Sequence, residues 1–371
     1  MRVLVTGGAG FIGSFLVEAL LKDGNDMRIL DNLEEQVHHG KKPEYLPKDA
    51  EFMMGDVRNR EDWQKALVGI DVVAHCASAV GVGQSQYEIA KYTDVNAVGM
   101  ANLLDVLANE KHTVKHVLVP TSMTAYGEGL YRCRQHGNCR PGMRHEKHMQ
   151  AHCWEPICPL CPKTVEPFPT PEDALRFPAS VYAITKNIQE ELLLSFGRTY
   201  GIKTTAFRLF NVFGPRQSLS NPYTGVTAIF LSRLKNGEAP VIYEDGGQTR
   251  DFISVHDVVR AFQLGIKHEE ANGEAFNIGS GKPTTIVQIA KTLSSLTNIH
   301  IEPQITGQFR KNDIRHCFAD NSKAKKILSW APTITFEQGM KELVEWSAKE
   351  KAEDHFKEAE ALMKSKNLQK Q

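Results

Sequence analysis

The sequence lacks a net charge, because its 44 lysine and arginine residues are balanced by 44 aspartate and glutamate residues. A chain without a basic or acidic excess has no overall field to attract nucleic acid or an anionic membrane. The sequence also lacks an apolar run near the roughly 18 residues that a membrane-spanning helix needs, and it shows no signal-peptide pattern at its start. These absences favour a cytoplasmic protein that acts on small molecules, with neither nucleic acid nor a membrane as partner.

Cysteine is scarce outside one segment. Only two of the seven cysteines lie outside residues 131–163, and the same segment holds four of the fourteen histidines. In the cytoplasm, clustered cysteines are more often reduced, metal-bound or catalytic than joined in disulfides. The segment therefore stands apart from a chain whose composition is otherwise ordinary for an α/β enzyme.

The first thirty residues predict a strand, a glycine loop, a helix and a second strand. Gly7, Gly10 and Gly13 form the pattern G-x-x-G-x-x-G, in which the absence of side chains lets backbone amides at a helix N-terminus approach a pyrophosphate. The second strand ends at Asp31, where a carboxylate would bind the adenosine ribose hydroxyls and repel a 2′-phosphate. This arrangement favours NAD over NADP.

Strands and helices then alternate, with strands predicted at 50–57, 70–78 and 114–122 and helices at 60–69 and 92–110. This order predicts an α/β fold with a doubly wound parallel sheet, whose ligands bind beyond the carboxyl ends of the strands.

The glycine loop, Asp31, Asp56, Ala77 and Ser122 all fall at those predicted strand ends. Asp56 could bind the adenine amino group or only form the turn that ends its strand. Asn96 could support the cofactor loop or only stabilise its own helix. Both alternatives stay open at the level of the sequence.

Catalytic chemistry is predicted where Ser122 ends a strand and a later helix carries Tyr182 and Lys186. The spacing of four residues places the phenol and the ammonium on one face of that helix. A nearby ammonium lowers the pKa of a phenol, and a serine hydroxyl can share the transferred proton, so the three groups suit oxidation of an alcohol. Tyr87 and Lys91 repeat the spacing, but they follow no strand-end serine and are expected on a solvated face.

At this point the sequence resembles a known family. The motifs "SMTAYG", "RLFNVFGPRQ", "RDFISVHDVVRA" and "FNIGSGKPTTI", together with the glycine loop and Y-x-x-x-K, are similar to those of extended short-chain dehydrogenase/reductases that act on nucleotide sugars, the UDP-glucose 4-epimerase-like enzymes. The resemblance runs from residue 1 to about residue 345 and is interrupted only by the cysteine-rich segment. It implies a Rossmann-type sheet, a smaller mixed α/β C-terminal substrate domain, bound NAD and a homodimer.

The resemblance also implies roles for particular residues. Those implied to bind or position NAD are Gly7, Gly10, Phe11, Ile12, Gly13, Asp31, Asn32, Asp56, Val57, Ala77, Asn96, Tyr182 and Lys186. Those implied to bind the sugar nucleotide are Ser122, Thr124, Asn211, Arg250 and Arg310. The chain departs from the pattern at Asn312, where many relatives have glycine.

The residues at two positions limit which reaction of this family the chain could catalyse. Relatives that eliminate water or decarboxylate carry acidic residues between the catalytic hydroxyl and the tyrosine of the "YG" pair, whereas this chain has Met123 and Thr124 there. A 4-epimerase is favoured, acting by oxidation at C4, rotation of the 4-ketosugar and re-reduction.

The alternatives are a 4-ketoreductase or dehydrogenase, a 4,6-dehydratase of the same family, and a non-catalytic NAD-binding interaction protein. Zinc alcohol dehydrogenases also carry a four-cysteine lobe, but they place the nucleotide fold late in the chain and lack the serine, tyrosine and lysine.

Residues 128–175 form an insertion between Ser122 and Tyr182 that has few apolar residues with which to build a core. Its predicted ligands for one structural zinc ion are Cys133, His136, Cys158 and Cys161, with Cys139 and Cys153 as alternatives. Reduced cysteines and disulfides are the other interpretations. The motifs "WEPICP" and "PTPED" resemble insertions in dTDP-L-rhamnose 4-epimerases, which implies a deoxyhexose nucleotide as substrate.

The predicted domains follow from these motifs. They are an NAD-binding domain at 1–210 and 250–278 that includes the insertion, a nucleotide-sugar-binding domain at 211–249 and 279–348, and a charged tail at 349–371.

Overall fold

A computed structural model describes residues 1–370 of the chain. The strands are β1 (Arg2–Thr6), β2 (Asp26–Asp31), β3 (Glu51–Met54), β4 (Val72–His75), β5 (His116–Ser122), β6 (Leu130–Cys133), β7 (Gly137–Cys139), β8 (Glu166–Phe168), β9 (Lys203–Leu209), β10 (Asn211–Phe213), β11 (Val241–Ile242), β12 (Thr249–Ser254), β13 (Glu274–Ile278), β14 (Pro283–Thr285), β15 (Gln304–Ile305), β16 (Phe309–Arg310), β17 (His316–Cys317) and β18 (Gln369–Lys370).

The α-helices are α1 (Phe11–Lys22), α2 (Glu35–His38), α3 (Arg60–Ala66), α4 (Val82–Ser85), α5 (Ile89–Tyr92), α6 (Gly99–Asn109), α7 (Glu146–Gln150), α8 (Val181–Tyr200), α9 (Val226–Lys235), α10 (Val255–Lys267), α11 (Ile286–Thr297), α12 (Ser322–Leu328), α13 (Phe336–Ser347) and α14 (Phe356–Ser365). A π-helical segment spans Thr93–Val98, and short 3₁₀ segments span Met123–Tyr126 and Glu269–Ala271.

The main sheet has seven strands in the order β3-β2-β1-β4-β5-β9-β13. Every pair of neighbours in it is parallel. The order reverses between β1 and β4, and this reversal is the crevice in which such sheets bind ligands. The predicted doubly wound parallel sheet is confirmed.

Apolar residues cover both faces of this sheet because a parallel sheet is buried on both sides. Successive residues of β1 alternate between the faces: Val3 and Val5 pack with α1, α10 and α12, while Leu4 packs with α3, α6 and α8. The two cores fix the carboxyl edge of the sheet, where the chain leaves β1, β2, β4 and β5.

The predicted single helix over 92–110 differs from the structure. It is divided into α5, the π-helical segment and α6, and Asn96 within the π-helical segment is completely buried. Single π-helical turns widen a helix locally and are frequent at functional sites. Here the widened turn directs the Asn96 amide toward the loop after β4.

The C-terminal part forms a separate core between α9, α11 and α13, beside a four-stranded sheet of β10, β12, β14 and β17. The helices α11 and α13 each begin with a capping box, formed by Thr285 with Gln288 and by Thr335 with Gln338. These reciprocal bonds set where each helix begins.

The insertion and the tail both have regular structure. The insertion contains the three-stranded antiparallel sheet β7-β6-β8 and the short helix α7. Within the segment predicted as a charged tail, α14 is followed by β18, which pairs antiparallel with β16 and sets Arg310 opposite Gln369. Among residues 1–370, none of the helices combines the length and apolar character that crossing a membrane requires.

Candidate active site

The glycine loop lies between β1 and α1, as predicted. Gly7 has a φ of +64°, and a Cβ there would lie 2.8 Å from backbone atoms of Ala77. A Cβ on Gly13 would lie 2.2 Å from the Gly7 carbonyl oxygen. Gly10 occupies the N-cap of α1, so no side chain covers the amides of Phe11 and Ile12 that open the helix. The loop thus has the close backbone packing and free amides that a dinucleotide pyrophosphate needs, and it fits NAD.

Asp31 ends β2 beside this loop. Its two carboxylate oxygens accept hydrogen bonds from the backbone amides of Ala9 and Leu33, each at 2.9 Å. The carboxylate is therefore fixed in position, and the remaining lone pairs of its oxygens can accept ribose hydroxyls.

Asp56 follows β3 and accepts hydrogen bonds from the side chain and the backbone amide of Arg58 and from Asn32. Burial alone would raise the pKa of Asp56, but the Arg58 and Asn32 hydrogen bonds lower it to about 2. The turn role is therefore present, and the adenine contact stays a prediction. The neighbouring Val57 carbonyl accepts the Trp63 indole N–H at 2.8 Å.

Asn96 uses its whole amide to hold the loop after β4. Its oxygen accepts hydrogen bonds from the Ser78 hydroxyl and the Ala79 amide, and its nitrogen donates to the Ala79 carbonyl and the Thr185 hydroxyl. The Ala77 amide donates to the Thr6 hydroxyl at 3.1 Å. Of the two alternatives open for Asn96, these contacts favour support of the cofactor loop.

Ser122, Tyr182 and Lys186 come together at the carboxyl end of β5. Ser122 is the last residue of that strand, and its oxygen accepts hydrogen bonds from the amide and the hydroxyl of Thr124. Tyr182 lies in the first turn of α8, close enough to Ser122 for the serine hydroxyl to influence its pKa. Lys186 lies one turn later, and its Nζ is 3.4 Å from the Ser78 hydroxyl.

The electrostatics of this group differ from the expectation that Lys186 lowers the pKa of Tyr182. Desolvation raises the pKa of Tyr182 to about 12, and the nearby Ser122 hydroxyl offsets this rise only in part. Burial also lowers the pKa of Lys186 to about 7, against a smaller opposing effect of Cys76. Two desolvated groups therefore lie together, and the phenol needs added positive charge near it to ionise at neutral pH.

The second Tyr/Lys pair is used for other contacts. The Tyr87 hydroxyl donates to the Tyr223 hydroxyl at 2.6 Å, and Lys91 pairs with Glu34 at 2.8 Å. Both residues are half-buried and not on the solvated face that was expected, and their lack of a catalytic role stays a prediction.

The predicted substrate-binding residues Asn211, Arg250 and Arg310 differ in whether their polar atoms already have hydrogen-bond partners. The Asn211 Oδ1 and Arg310 Nε atoms are both buried, and neither finds a hydrogen-bond partner within residues 1–370. Orphaned buried polar atoms are costly, so they indicate a ligand. Arg250, in contrast, already donates to Asp313 Oδ1 at 2.9 Å and to backbone carbonyls of β12 and the 313–315 segment.

Asp313 is a residue that the sequence analysis missed. It accepts from both Arg250 and Arg310, at 2.9 and 2.8 Å. Burial would raise the pKa of its carboxyl, but the two guanidinium groups lower it to about 2. The R-x-x-D spacing from Arg310 was the available signal. Asn312 before it has a φ of +61°, a left-handed conformation that asparagine tolerates, so the departure from glycine leaves this turn intact.

The four predicted metal ligands also come together. The ligand atoms of Cys133, His136, Cys158 and Cys161 all lie within 4.8 Å of one another. The alternative ligand Cys139 packs beside them, while Cys153 is exposed.

Comparison with known proteins finds two family matches along the chain. The family described as "NAD dependent epimerase/dehydratase family" matches residues 3–145, and the one described as "GDP-mannose 4,6 dehydratase" matches residues 164–343. The dTDP-L-rhamnose 4-epimerase of Burkholderia thailandensis is 34% identical, over 94% of this chain and 95% of that protein. Proteins named as nucleotide-sugar decarboxylases are similar as well.

Solved structures give the same result. The UDP-glucose 4-epimerase of Thermotoga maritima, solved with UDP-glucose, has a TM-score of 0.77 and 33% identity over 94% of this chain and 99% of that chain. The UDP-glucose 4-epimerase of Thermus thermophilus, solved with NAD, has a TM-score of 0.73 and 27% identity with the same coverage.

The sheet, the glycine loop and the Ser/Tyr/Lys group define a short-chain dehydrogenase type of enzyme. Within that class the chain belongs to the NAD-dependent epimerase/dehydratase family. The family resemblance stated from the motifs is thereby confirmed.

The packing of the glycine loop generates a first prediction. We expect Gly13→Ala to abolish retention of NAD, because the added Cβ must displace α1 from the Gly7 carbonyl. Gly24→Ala at the opposite end of α1 is the control: it also strains the backbone but meets open space. The measurement is the NAD content of purified protein, with circular dichroism to verify folding. A folded Gly13→Ala protein with a full complement of NAD would contradict this account.

The buried Lys186 generates a second prediction. Its pKa is about 7 in the folded protein and 10.5 ordinarily, so between these values the unfolded chain binds more protons. The lysine therefore destabilises the NAD-free protein most near pH 7 and progressively less as the pH rises. We expect Lys186→Met to increase the free energy of unfolding at pH 7, with an advantage that shrinks by up to about 1.4 kcal/mol per pH unit toward pH 10.

Urea unfolding of the NAD-free proteins between pH 7 and 9.5 measures this difference. Lys91→Met, which removes a lysine that is 34% exposed, is the matched control and should show little dependence on pH. A difference between wild type and Lys186→Met that stays constant with pH would show that Lys186 is not desolvated.

Proposed function

We propose that the protein is an NAD-dependent nucleotide-sugar 4-epimerase that acts by transient oxidation at C4. The observation that carries the proposal is the Ser122–Tyr182–Lys186 group at the strand ends beside the glycine loop. The side chains between Ser122 and the next tyrosine, including Met123 and Thr124, carry no carboxylate. This composition provides for reversible oxidation and omits the added acid or base that elimination or decarboxylation would use.

The residues divide the proton chemistry between them. Tyr182 takes the proton of the C4 hydroxyl as the C4 hydrogen leaves as hydride, which makes the 4-ketosugar, and it returns the proton when the hydride returns to the opposite face. Ser122 bonds the same hydroxyl and shares the proton. NAD held by the glycine loop and Asp31 would supply the hydride acceptor, together with the positive charge that the phenol lacks. Lys186, whose pKa burial lowers to about 7, carries only part of a positive charge at neutral pH.

The substrate is proposed to be a dTDP- or UDP-linked deoxyhexose. Support comes from the orphaned Arg310 Nε, since a guanidinium donor suits a diphosphate. The orphaned Asn211 Oδ1 is an acceptor, so it suits a hydroxyl or an N–H group of the same ligand. Further support comes from the similarity to the dTDP-L-rhamnose 4-epimerase of Burkholderia thailandensis. We place the reaction in the cytoplasm. NAD is proposed as the only cofactor that takes part in the reaction, and the zinc ion proposed for the insertion is structural.

Replacement of the proposed base tests the mechanism. We expect Tyr182→Phe to retain bound NAD and to lose roughly 10²- to 10⁴-fold in kcat, the usual contribution of general acid–base catalysis. Tyr87→Phe removes the hydroxyl of the other Tyr/Lys pair and should leave kcat unchanged. The assay incubates each protein with UDP-, dTDP- and GDP-sugars and resolves the C4 epimers.

The same assay separates the alternatives. Interconversion of epimers without added NAD supports the proposal. Stoichiometric release of NADH would identify a dehydrogenase, a 4-keto-6-deoxy product would identify a dehydratase, and no turnover with any sugar would favour a non-catalytic NAD-binding protein.

We also propose a homodimer formed through α6 and α8. A surface groove between these helices is lined by Asn102, Leu104, Leu192, Phe196 and Tyr200. The Leu192 and Tyr200 residues are 38% and 54% exposed, which leaves apolar surface in water. A second copy with the same two helices would cover it as a four-helix bundle.

Solution mass tests the dimer. We expect Leu192→Asp to convert the protein to a monomer, because a carboxylate would be buried in the helix interface. Leu362→Asp on α14 changes a leucine of equal exposure, 38%, and should leave the mass unchanged. A wild-type protein that is monomeric by light scattering would remove the proposal.

A further inference from the structure

The insertion brings four metal-ligating side chains to one place from two separate turns. Cys133 ends β6, and His136 lies in the three-residue turn that joins β6 to β7. Cys158 and Cys161 lie in a second turn, which is closed by the bond from the Cys158 amide to the Lys163 carbonyl. Two turns that each present two ligands are the usual construction of a structural zinc site.

The distances between the ligand atoms match one tetrahedral ion. His136 Nδ1 lies 3.6 Å from Cys133 Sγ and 3.5 Å from Cys158 Sγ, and the Cys133 and Cys161 sulfurs are 3.9 Å apart. Zinc bonds of about 2.3 Å to sulfur and about 2.1 Å to nitrogen place neighbouring ligands roughly 3.6 to 3.8 Å apart. A disulfide would need sulfurs about 2.0 Å apart.

A backbone amide also points at this site, because the Leu160 N–H donates to Cys158 Sγ at 3.5 Å. Such a donor stabilises a thiolate, and thiolates rather than thiols bind zinc.

We propose that Cys133, His136, Cys158 and Cys161 bind one zinc ion, and that this ion holds the insertion in the shape that completes the nucleotide-sugar site. Four protein ligands leave no position for water, so the ion is structural and not catalytic. The second half of the proposal rests on the proposed function, whereas the metal site does not.

Elsewhere in the insertion, Met149 and Trp154 pack against Phe309, but the turns that carry the four ligands have only a small core. That core consists of Tyr131, Cys133, Cys158 and Val165, with Cys139 and Cys161 packed against it. Most members of this core are cysteines, whose small side chains bury little apolar area. Burial stabilises a fold by only about 25 cal/mol per Å² of apolar area, so this core contributes little. A bound metal supplies the stability that such a small core does not.

A buried hydrogen-bond network leads from this cluster toward the C-terminal domain. Tyr131, two residues before Cys133 on β6, donates to Glu128 at 2.6 Å and accepts from the His316 amide at 3.1 Å. Glu128 also accepts from the Arg315 amide at 2.7 Å and pairs with Arg144 at 3.3 Å. The side chains of Glu128 and Arg144 are only 3% and 4% exposed.

Arg144 carries the network to the predicted substrate residues. It makes a bidentate pair with Glu244, at 3.0 and 2.7 Å, and donates to the Asp313 carbonyl at 3.0 Å. The Asp313 carboxylate holds Arg250 and Arg310. If the insertion loosens, Arg144 withdraws from Asp313, and the orientation of both arginines is lost.

Metal analysis tests the first half. We expect one zinc per chain, by mass spectrometry of protein purified without added metal. Replacement by Co²⁺ should give the thiolate charge-transfer and tetrahedral d–d absorption bands. The variants Cys158→Ser and His136→Gln should lose the ion, while the exposed Cys153→Ser, whose Sγ contacts only the Ala151 carbonyl, should keep it.

Two results would overturn the site. One is wild-type protein that neither contains zinc nor takes up Co²⁺ after reduction. The other is loss of the metal in Cys139→Ser but not in His136→Gln, which would refute the ligand set. If Cys158→Ser is insoluble, removal of zinc from wild type by a chelator, followed with a zinc dye, gives the same stoichiometry.

Kinetics test the second half with wild type and with chelated protein that circular dichroism shows to be folded. We expect removal of zinc to raise KM for the sugar nucleotide and the Kd of the free nucleoside diphosphate roughly 2- to 30-fold, the usual range of coupling between distant residues. Bound NAD and kcat should change little. Unchanged KM and Kd would refute the coupling, and loss of kcat alone would assign the metal to catalysis. Wild-type protein that contains zinc but turns over no sugar nucleotide would refute the proposed function and leave the metal site supported.

Discussion

The contact on which the cofactor half of the molecule depends joins Gly13 of α1 to the Gly7 carbonyl at the end of β1. A Cβ at Gly13 would lie 2.2 Å from that oxygen, so the helix reaches its position only because no side chain is there. This close packing of Gly13 against Gly7 directs the first backbone amides of α1 toward the carboxyl ends of the strands. Asp31, the Ala77 loop and Ser122 then lie around the same crevice, because their strands pair in parallel with β1 and with one another.

The substrate half uses a different principle. Its central residues are the buried ions Glu128, Arg144, Glu244 and Arg315, with the partly buried Asp313 beside them. Buried ion pairs gain little stability over apolar packing, but removal of one partner leaves an unpaired charge and costs about 3 to 5 kcal/mol. Such a network specifies one arrangement of the chain. It suits the proposed role of Arg250 and Arg310, which must keep a fixed relation to each other to bind a diphosphate.

Local sequence patterns predicted the parts of the structure that depend on local physics. The period-two and helical spacings, the glycine loop and the strand-end positions of Asp31 and Ser122 were sufficient for the sheet and the cofactor crevice. Pairs of ligands three residues apart placed Cys133, His136, Cys158 and Cys161 first, with Cys139 and Cys153 as alternatives, and the ligand atoms of the first four lie together.

The features that were missed depend on contacts between distant residues. Asp313 becomes significant only when β12 places Arg250 beside it, and the π-helical turn at Asn96 has no signature in the residue pattern. The pKa of Tyr182 was expected to fall because only Lys186 was considered, whereas desolvation by the surrounding fold dominates. The β18 strand beside Arg310 could not be predicted, since a two-residue strand is specified by its partner.

The insertion has a consequence for how the chain folds. It separates the serine from the tyrosine in sequence, yet two of its pairings, β6 with β7 and Ile157 with Thr164, are local, and the third, β6 with β8, stays within the insertion. Local hairpins form faster than the long-range pairing of β5 with β9 that brings α8 to the sheet. A lobe that orders first shortens the effective loop that this later step must close and lowers its entropic cost. The segment that interrupts the enzyme in sequence thereby brings the two halves of its active site closer together during folding.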